Sequence, residues 1–418
     1  PHVVGGHATA EVSASYYAGG ARPGAEVSWR VSATPGHYQP PHWKGFVFGP
    51  FLPWWGPRPG LREPETVETF AARTDGTGVH RLRVDFEAGD PPRARHVRAE
   101  ATVTDVNRQA WTAGAELVVH PAELYVGLRS ERAFVQKGEA FSFDVVVVDI
   151  DGRAVADRPV ELRAERLEWE QVEGEWTEVA REVRERQLVS GPEPVGLSFE
   201  GLAGGSWEVR ARVRDDRERV NETEHPIWVA GGRVPPARRL EREELTLVPD
   251  REEYQPGDVA RILVVSPFAP AEGLMTLGRS GLLQEKRFTV DGGSHTLEIR
   301  IEPGWTPNVH VQVDLVGSAT DEGGASRPAF AHGSLDLSVP PDARRLALDV
   351  TPQQESLAPG EQTVLDLELR DDEGRPISGG EIAVVVVDEA VLALTGYRLP
   401  DPMDVFYSRR GAQLRTVK

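Results

Sequence analysis

The stretch that decides the fold is Gln136-Lys137-Gly138-Glu139-Ala140-Phe141-Ser142-Phe143-Asp144-Val145-Val146-Val147-Val148-Asp149-Ile150-Asp151-Gly152-Arg153. It begins with a glycine turn followed by an acidic residue and ends with a second glycine turn. Between the two turns, every second residue from Phe141 to Val147 is apolar. This period of two predicts a β-strand with one buried face, which the turn at Gly152 joins to the next strand.

The opening turn of this stretch recurs along the whole chain. Glycine stands before an acidic residue and an alternating apolar run at positions 24, 138, 257 and 360, so the spacings are 138 − 24 = 114, 257 − 138 = 119 and 360 − 257 = 103 residues. The second turn also recurs, because Gly374 follows Gly360 by 14 residues as Gly152 follows Gly138. One β-sandwich needs about 100 residues. The 418 residues therefore predict four sandwiches in tandem.

Proline- and glycine-rich joints place the boundaries between these modules. They divide the chain into domains 6–122, 123–236, 237–343 and 344–418. The last domain holds only four candidate strands, at 346–351, 363–370, 381–388 and 391–394, which are too few for a closed sandwich. The predicted fold class is all-β, with antiparallel sandwiches of the fibronectin or immunoglobulin type.

One segment of the second domain permits two readings. Its apolar residues Trp169, Val172, Trp176, Val179 and Val183 are spaced by 3, 4, 3 and 4 residues, which is typical of a helix. The alternative is a long hairpin over 162–188 that turns at Gly174. The hairpin is favoured because a glycine within a helix costs about 1 kcal/mol and the surrounding domain is β.

Charge and composition exclude several classes of protein. The net charge of −19 opposes binding to nucleic acids and anionic membranes, and no apolar run is long enough for a transmembrane segment. The absence of cysteine excludes a disulfide, a thiolate metal site and a thioester within these residues. Arginine outnumbers lysine by 43 to 4, which indicates a bacterial source with GC-rich coding. The chain begins at Pro1 without a signal sequence, so we expect a piece of a longer protein.

A search for sites of catalysis or cofactor binding yields no candidate. The 11 histidines are scattered without metal-ligand spacing, and neither a nucleophile elbow nor a phosphate-binding loop is present. The run Asp149-Ile150-Asp151-Gly152 lacks the remaining ligands of a calcium loop and is interpreted as a hairpin turn. We therefore predict no catalytic residue, no metal and no cofactor, and a protein that is not an enzyme.

The aromatic and proline-rich segment 37–59 is a candidate interaction loop. It contains Trp43, Trp54 and Trp55, and clustered tryptophans are favoured in binding hot spots. The alternative is a structural insertion that packs on its own domain or on the next one. Burial of the tryptophans against the sandwiches would favour the second interpretation.

Several stretches of the chain, most clearly from Gly374 onwards, resemble the sequences of a known family. They are Gly374-Arg375-Pro376-Ile377 and the run from Ile382 to Leu394, and similar matches lie at Tyr254-Gln255-Pro256-Gly257-Asp258 and Trp305-Thr306-Pro307-Asn308-Val309. In these stretches the chain is similar to the bacterial alpha-2-macroglobulins. The resemblance implies tandem macroglobulin-like domains, with the fourth leading into a protease bait region. It also implies a broad-spectrum endopeptidase inhibitor in the periplasm or outside the cell, with endopeptidases as targets and the remaining domains of the same protein as partners.

The candidate protease-sensitive positions lie after Leu394, where the apolar alternation ends and glycine and prolines interrupt regular pairing. They are Arg398, Arg409, Arg410, Arg415 and Lys418. The alternative is a frayed chain end without a regulatory consequence. For the protein as a whole, the alternative function is a structural or adhesive array of sandwiches that does not inhibit a protease.

Overall fold

The structure is a computed structural model. It describes residues 1–16, 19–53, 66–104, 108–172, 175–232, 243–320, 326–354, 357, 360–387, 394, 396 and 400–413. Over these ranges the regular secondary structure consists almost entirely of strands, most of them antiparallel. The predicted all-β fold class is therefore confirmed. The exact domain boundaries stay a prediction.

The first sandwich lies in the N-terminal quarter of the chain. Its region contains β1 (His2–Val3), β2 (His7–Ser13), β3 (Glu26–Pro35), β4 (Val47–Phe48), β5 (Thr66–Arg73), β6 (Val79–Asp85), β7 (Arg95–Thr104) and β8 (Ala110–His120). One sheet has the order β1-β8-β7-β3-β5, and the second sheet pairs β2 with β6. Alternate residues of β3, among them Trp29, point into the core between the sheets.

The second sandwich follows three residues later. Its strands are β9 (Leu124–Arg129), β10 (Phe134–Val135), β11 (Phe141–Asp149), β12 (Pro159–Val172), β13 (Glu175–Val189), β14 (Val195–Phe199), β15 (Gly205–Arg214) and β16 (Val220–Val229). The sheets have the orders β10-β16-β15-β12-β13 and β14-β11-β9-β4. Phe141, Phe143 and Trp207 are fully buried between them. The predicted strand between the two glycine turns is thus confirmed as β11.

The hairpin reading of residues 162–188 is also confirmed. β12 and β13 pair antiparallel from Pro159 opposite Val189 to Val172 opposite Glu175. The helical spacing was misleading because β13 is an edge strand whose charged residues face water along most of its length. Cross-strand ion pairs such as Arg163–Glu185, at 3.3 Å, replace an apolar stripe there.

The third sandwich contains β17 (Glu243–Glu244), β18 (Thr246–Pro249), β19 (Val259–Val265), β20 (Ala271–Gly278), β21 (Leu282–Val290), β22 (Ser294–Arg300), β23 (Asn308–Thr320) and β24 (Ser326–Ser338). Its sheets have the orders β17-β24-β23-β20-β21 and β18-β19-β22. A short 3₁₀ helix, Pro303–Trp305, precedes β23, and another, Asp342–Arg344, follows β24. Val309, Val311, Val313 and Leu315 alternate along β23 and are completely buried.

The C-terminal part differs from the three sandwiches. It contains β25 (Ala347–Pro352), β26 (Leu365–Arg370) and one helix, α1 (Pro402–Phe406). β25 and β26 match two of the four predicted strands and form a two-stranded sheet, called the terminal strand pair below. Residues 381–387 were expected in a strand but lie outside any ladder, because a strand requires a neighbour and the described residues provide none there. Candidate strand 391–394 lies largely outside the described residues.

The three sandwiches share one topological feature. The first short strand of each pairs parallel to a later long strand, as β1 does with β8, β10 with β16 and β17 with β24. The same pairing in three successive modules supports the internal repeat that the glycine spacing predicts.

A strand from the first region extends a sheet of the second sandwich. β4 pairs with β9, with Val47 opposite Leu128 and Phe48 opposite Gly127. Phe48 is 1% exposed and packs with Tyr125, Val146 and Val148 in a separate apolar cluster. The described part of the candidate interaction loop is therefore integrated into the neighbouring sandwich.

Hydrogen bonds fix the same loop on the turn after β11. The Trp43 indole Nε1 donates to the Gly152 carbonyl at 2.8 Å, and the Tyr38 hydroxyl donates to the Ile150 carbonyl at 2.6 Å. Gly152 has a φ of 82°, and a Cβ at this position would lie 2.3 Å from the Pro41 carbonyl oxygen. A glycine is therefore required both by the turn and by the loop packed on it.

The second and third sandwiches meet through a smaller apolar cluster. It contains Ala133, Phe134, Ala230, Val248 and Leu263. Three polar contacts accompany it: the Ala133 amide donates to the Asp250 carbonyl at 3.2 Å, Gln136 Nε2 donates to Thr296 Oγ1 at 3.0 Å, and the Gly231 amide donates to Ser294 Oγ at 2.9 Å. Apolar packing and single hydrogen bonds thus hold this junction, whereas a shared sheet holds the first one.

We predict that Gly152→Ala destabilises the protein more than Gly138→Ala does. Both glycines have positive φ, so both substitutions carry the backbone penalty of about 1–2 kcal/mol. A Cβ at 138 meets no atom within 4 Å, whereas the one at 152 collides with the loop backbone. Chemical denaturation should show an additional loss of about 1 kcal/mol or more for Gly152→Ala. Equal losses would show that the loop does not depend on this contact.

His225 is 5% exposed and packs against Phe51 and Phe143. Burial lowers its pKa to about 4, although a hydrogen bond with the Pro226 carbonyl opposes this shift. Between about pH 6.5 and about pH 4 the unfolded chain binds a proton at this residue that the folded chain does not bind. Stability should therefore fall by up to about 3 kcal/mol as the pH decreases through this range.

The variant His225→Phe keeps a ring of similar shape but removes the titrating group. Its free energy of unfolding should fall less steeply than that of the parent between pH 6.5 and pH 4, whatever its stability at neutral pH. Denaturant titrations of both proteins at a series of pH values measure the two slopes. Identical slopes would contradict the assignment of this pH dependence to His225.

Candidate functional site

The terminal strand pair leaves its apolar side chains exposed. Leu348 and Val350 of β25 are 44% and 53% exposed. At the end of β26, Arg370 makes an isolated bridge with Pro376, and the Asp371 carboxylate accepts the Arg375 amide at 2.8 Å. The turn at Gly374 is therefore formed in the same way as the turn at Gly152, where Asp149 accepts the Arg153 amide at 2.8 Å.

The valine run that follows is the most exposed apolar stretch of the described chain. Val385 and Val386 are 83% and 86% exposed, and Val384 and Val387 are 54% and 45% exposed. Four consecutive β-branched residues favour a strand, and an unpaired strand of this kind readily accepts a partner strand. This stretch lies within the region where the sequence resembles the bait-bearing domain.

After residue 400 the chain returns to the third sandwich. α1 is capped by Asp401, whose Oδ1 accepts the Met403 amide at 2.8 Å. The Asp401 carboxylate also pairs with Arg345 at 3.4 Å, and the Tyr407 hydroxyl accepts a bond from Arg344 at 3.2 Å. These contacts direct the residues after α1 towards β23 and β24.

Asn308, at the start of β23, binds the backbone of Arg410 at two points. Its Oδ1 accepts the Arg410 amide, and its Nδ2 donates to the Arg410 carbonyl, both at 2.9 Å. Nδ2 also donates to Asp336 Oδ1 at 2.7 Å, and the side chain is completely buried. His310 Nε2 lies 2.6 Å from the same Arg410 carbonyl, and because a carbonyl only accepts, this nitrogen is the donor.

Further contacts hold the residues on either side of Arg410. Arg409 Nη1 forms an ion pair with Asp336 Oδ2 at 2.9 Å. At the tip of the β20–β21 hairpin, the Ser280 amide donates to the Gly411 carbonyl at 3.3 Å, and the Gly281 amide donates to the Ala412 carbonyl at 3.2 Å. Three consecutive residues of the C-terminal segment are thereby bound through their main chain.

Like charges oppose this binding. Burial lowers the pKa of the Arg279 guanidinium, and the positive charges of Arg410 and Arg344 lower it further. The docked segment thus brings a third arginine close to two others. The carboxylate of Asp336 supplies the opposite charge on the side of Arg409.

The predicted site residues have different positions in the structure. Arg409 and Arg410 lie at the surface of the third sandwich, and the Arg409 side chain is 70% exposed. Trp43 packs against the second sandwich, more than 300 residues before Arg409 and Arg410 in the sequence. Arg398, Arg415, Lys418, Trp54 and Trp55 lie outside the described residues. Protease sensitivity and the interaction role of the loop stay predictions.

Sequence reasoning missed Asn308, His310 and Asp336. Asn308 and His310 are two residues apart, but Asp336 stands opposite His310 only through the pairing of β23 with β24. A polar residue at the start of a strand is common, and nothing in the sequence connects it to a segment 102 residues later. The cluster is visible only once the strands are paired.

Comparison with known proteins agrees with the resemblance seen in the sequence. Residues 245–394 match the family model described as the alpha-2-macroglobulin bait region domain. An alpha-2-macroglobulin homolog of Nostoc sp. is 25% identical over 424 residues, covering 99% of this chain and 22% of the relative. The alpha-2-macroglobulin of Escherichia coli K12 is 24% identical over 336 residues, covering 72% of this chain and 20% of the relative.

Among solved structures, the native conformation of E. coli alpha-2-macroglobulin is similar to this chain. It is 18% identical with a TM-score of 0.41, and the match covers 98% of this chain and 27% of that one. The chain spans about a fifth of the length of the curated relatives that it matches. The family model and the curated relatives confirm the resemblance that the sequence predicts: this chain is similar to the bacterial alpha-2-macroglobulins.

Proposed function

We propose that the chain is part of the scaffold of a broad-spectrum endopeptidase inhibitor, which traps a protease after the protease has cut a bait region. The observation that carries this proposal is the match of residues 245–394 to the bait region domain. The matched range covers most of the third sandwich and extends beyond the terminal strand pair. The chain would act by holding a cleavable segment and changing shape when it is cut, without catalysis of its own.

The terminal strand pair supports this proposal physically. A sheet whose apolar face remains in water gains little free energy, so we expect Leu348, Val350 and the valines at 384–387 to be covered in the working protein. We propose that the remaining domains of the same protein cover these apolar residues and are therefore partners of this chain. Endopeptidases are the proposed targets, and the periplasm or the cell exterior is the proposed location.

The proposed protease-sensitive bonds follow Arg398, Arg409, Arg410, Arg415 and Lys418. A protease draws several residues of extended chain into its cleft, and the segment after Leu394 lacks regular pairing over most of the positions that the structure describes. The chain has no cysteine, so covalent capture through a thioester is not proposed for these residues.

The alternative, an adhesive array, gains no support from the described part of the candidate interaction loop. Trp43 packs against the second sandwich and donates its indole hydrogen bond within the molecule. A tryptophan used in this way stabilises a junction and offers no open hot spot. The inhibitor is therefore the function that we retain.

If the inhibitor proposal is right, limited trypsin treatment of the full-length protein should cut after one of the five basic residues and reduce the radius of gyration. The trapped trypsin should lose activity towards large protein substrates and keep activity towards small peptides, since only small molecules can enter the trap. Small-angle scattering and the two substrate assays measure these effects.

A variant with Gln at all five positions should resist both the cut and the compaction. Its matched control carries Arg81→Gln and Arg83→Gln on β6, which removes exposed trypsin sites elsewhere and should behave like the parent. Cleavage of the parent at the five positions without a change in scattering would contradict the inhibitor and favour a structural array.

A further inference from the structure

We propose that residues 409–412 form a latch that closes on the third sandwich, and that the closed latch withholds the Arg409–Arg410 and Arg410–Gly411 peptide bonds from trypsin-like proteases. The receiving site consists of Asn308, His310, Asp336 and the hairpin tip at Ser280–Gly281. This inference goes beyond the proposed function. It applies to the chain whether or not the whole protein inhibits a protease.

The latch uses the same backbone groups that a protease needs. A protease binds its substrate as an extended strand and pairs with the main-chain amides and carbonyls around the cut bond. In the closed latch the amide and the carbonyl of Arg410 are both bound by Asn308. The carbonyls of Gly411 and Ala412 are bound by the hairpin tip. The protease must release these bonds before it can cut.

The hairpin tip is shaped for this contact. Ser280 and Gly281 have φ values of 53° and 129° and lie outside the ladder between β20 and β21, so strand pairing does not use their amides. The Ser280 amide donates to the Gly411 carbonyl and the Gly281 amide donates to the Ala412 carbonyl, so the tip binds two successive carbonyls of the latch. The tip therefore recognises backbone and not a particular side chain.

Asn308 is the second part of the site. A buried carboxamide is costly unless its donors and acceptor are paired, and Asn308 is 0% exposed. Its oxygen is paired with Arg410, and its nitrogen is shared between Arg410 and Asp336. When the latch closes, the Arg410 backbone supplies a donor for the carboxamide oxygen and an acceptor for its nitrogen. Because the carboxamide is buried, these two bonds favour the closed state.

The latch is nevertheless a local structure that can open alone. Arg409 and Arg410 are exposed, and the latch contributes no residue to the apolar core of the third sandwich. Arg410 also lies near the like charge of Arg279. Segments with few buried contacts open without unfolding of the domain. The latch therefore delays cleavage and does not prevent it.

The decisive experiment compares two variants of the receiving site with a matched control in the full chain. Asp336→Asn removes the charge that binds Arg409, and Asn308→Asp keeps one acceptor but loses both donors of the carboxamide. The control, Asp314→Asn, changes an aspartate of the same sheet that pairs with His332 at 2.9 Å and makes no contact with the latch. Neither Asp336→Asn nor its control alters a trypsin site.

We expect trypsin to cut Asn308→Asp after Arg409 and Arg410 roughly tenfold faster than the parent, the change that corresponds to about one lost hydrogen bond. Asp336→Asn should be cut roughly threefold faster, because an ion pair with an exposed arginine contributes less. The control should be cut at the parental rate. Mass spectrometry of the new chain ends measures each site separately, and thermal unfolding shows whether each variant is folded. Equal rates in the parent and Asp336→Asn would overturn the proposal.

Hydrogen exchange provides an independent readout if Asn308→Asp fails to fold. In the parent the Arg410 amide donates to Asn308, so its exchange should be slowed, and Asp336→Asn should accelerate it by a similar factor without affecting the amides of β23. Fast exchange of this amide in the parent would also overturn the latch. Neither measurement uses protease inhibition, so failure of the proposed function would leave the result intact.

Discussion

Every described sheet of this chain has at least one apolar face, and such a face is stable only when a second layer removes it from water. The first three sandwiches meet this condition with their own strands, and residues such as Trp29, Trp207 and Met275 lie in the cores that result. Among the described residues the terminal strand pair does not meet it. The contrast distinguishes modules that fold as closed units from one whose apolar face depends on other parts of the protein.

The junctions between sandwiches follow from the same condition. A sheet also has two edges with unpaired amides and carbonyls, and the edge at β9 is covered by β4 from the preceding region. Phe48 then adds an apolar contact on the face of that sheet. The latch is bound in a similar way. The side chain of Asn308 makes the two hydrogen bonds with the Arg410 backbone that the carbonyl and amide of a neighbouring strand would otherwise make.

The sequence predicts the parts of the structure that depend on local pattern. The alternation from Phe141 to Val147 identified β11, and the glycine at 174 correctly favoured a hairpin over a helix. The pairing of β4 with β9 could not be predicted, because residues 47–48 are too short for an alternating pattern and lie among prolines and aromatics. The valines at 384–387 were expected in a strand, but β propensity alone does not create a ladder.

The pairing of β4 with β9 also has a mechanical consequence. The first and second sandwiches are joined by the chain between β8 and β9, by the shared sheet and by the ion pair of Arg93 with Glu224. Bending one sandwich against the other would shear backbone hydrogen bonds and pull Trp43 from the turn at Gly152. We therefore expect the first two sandwiches to resist bending against each other. Rotation within the chain is expected at the junction between the second and third sandwiches, which no ladder of the described strands spans.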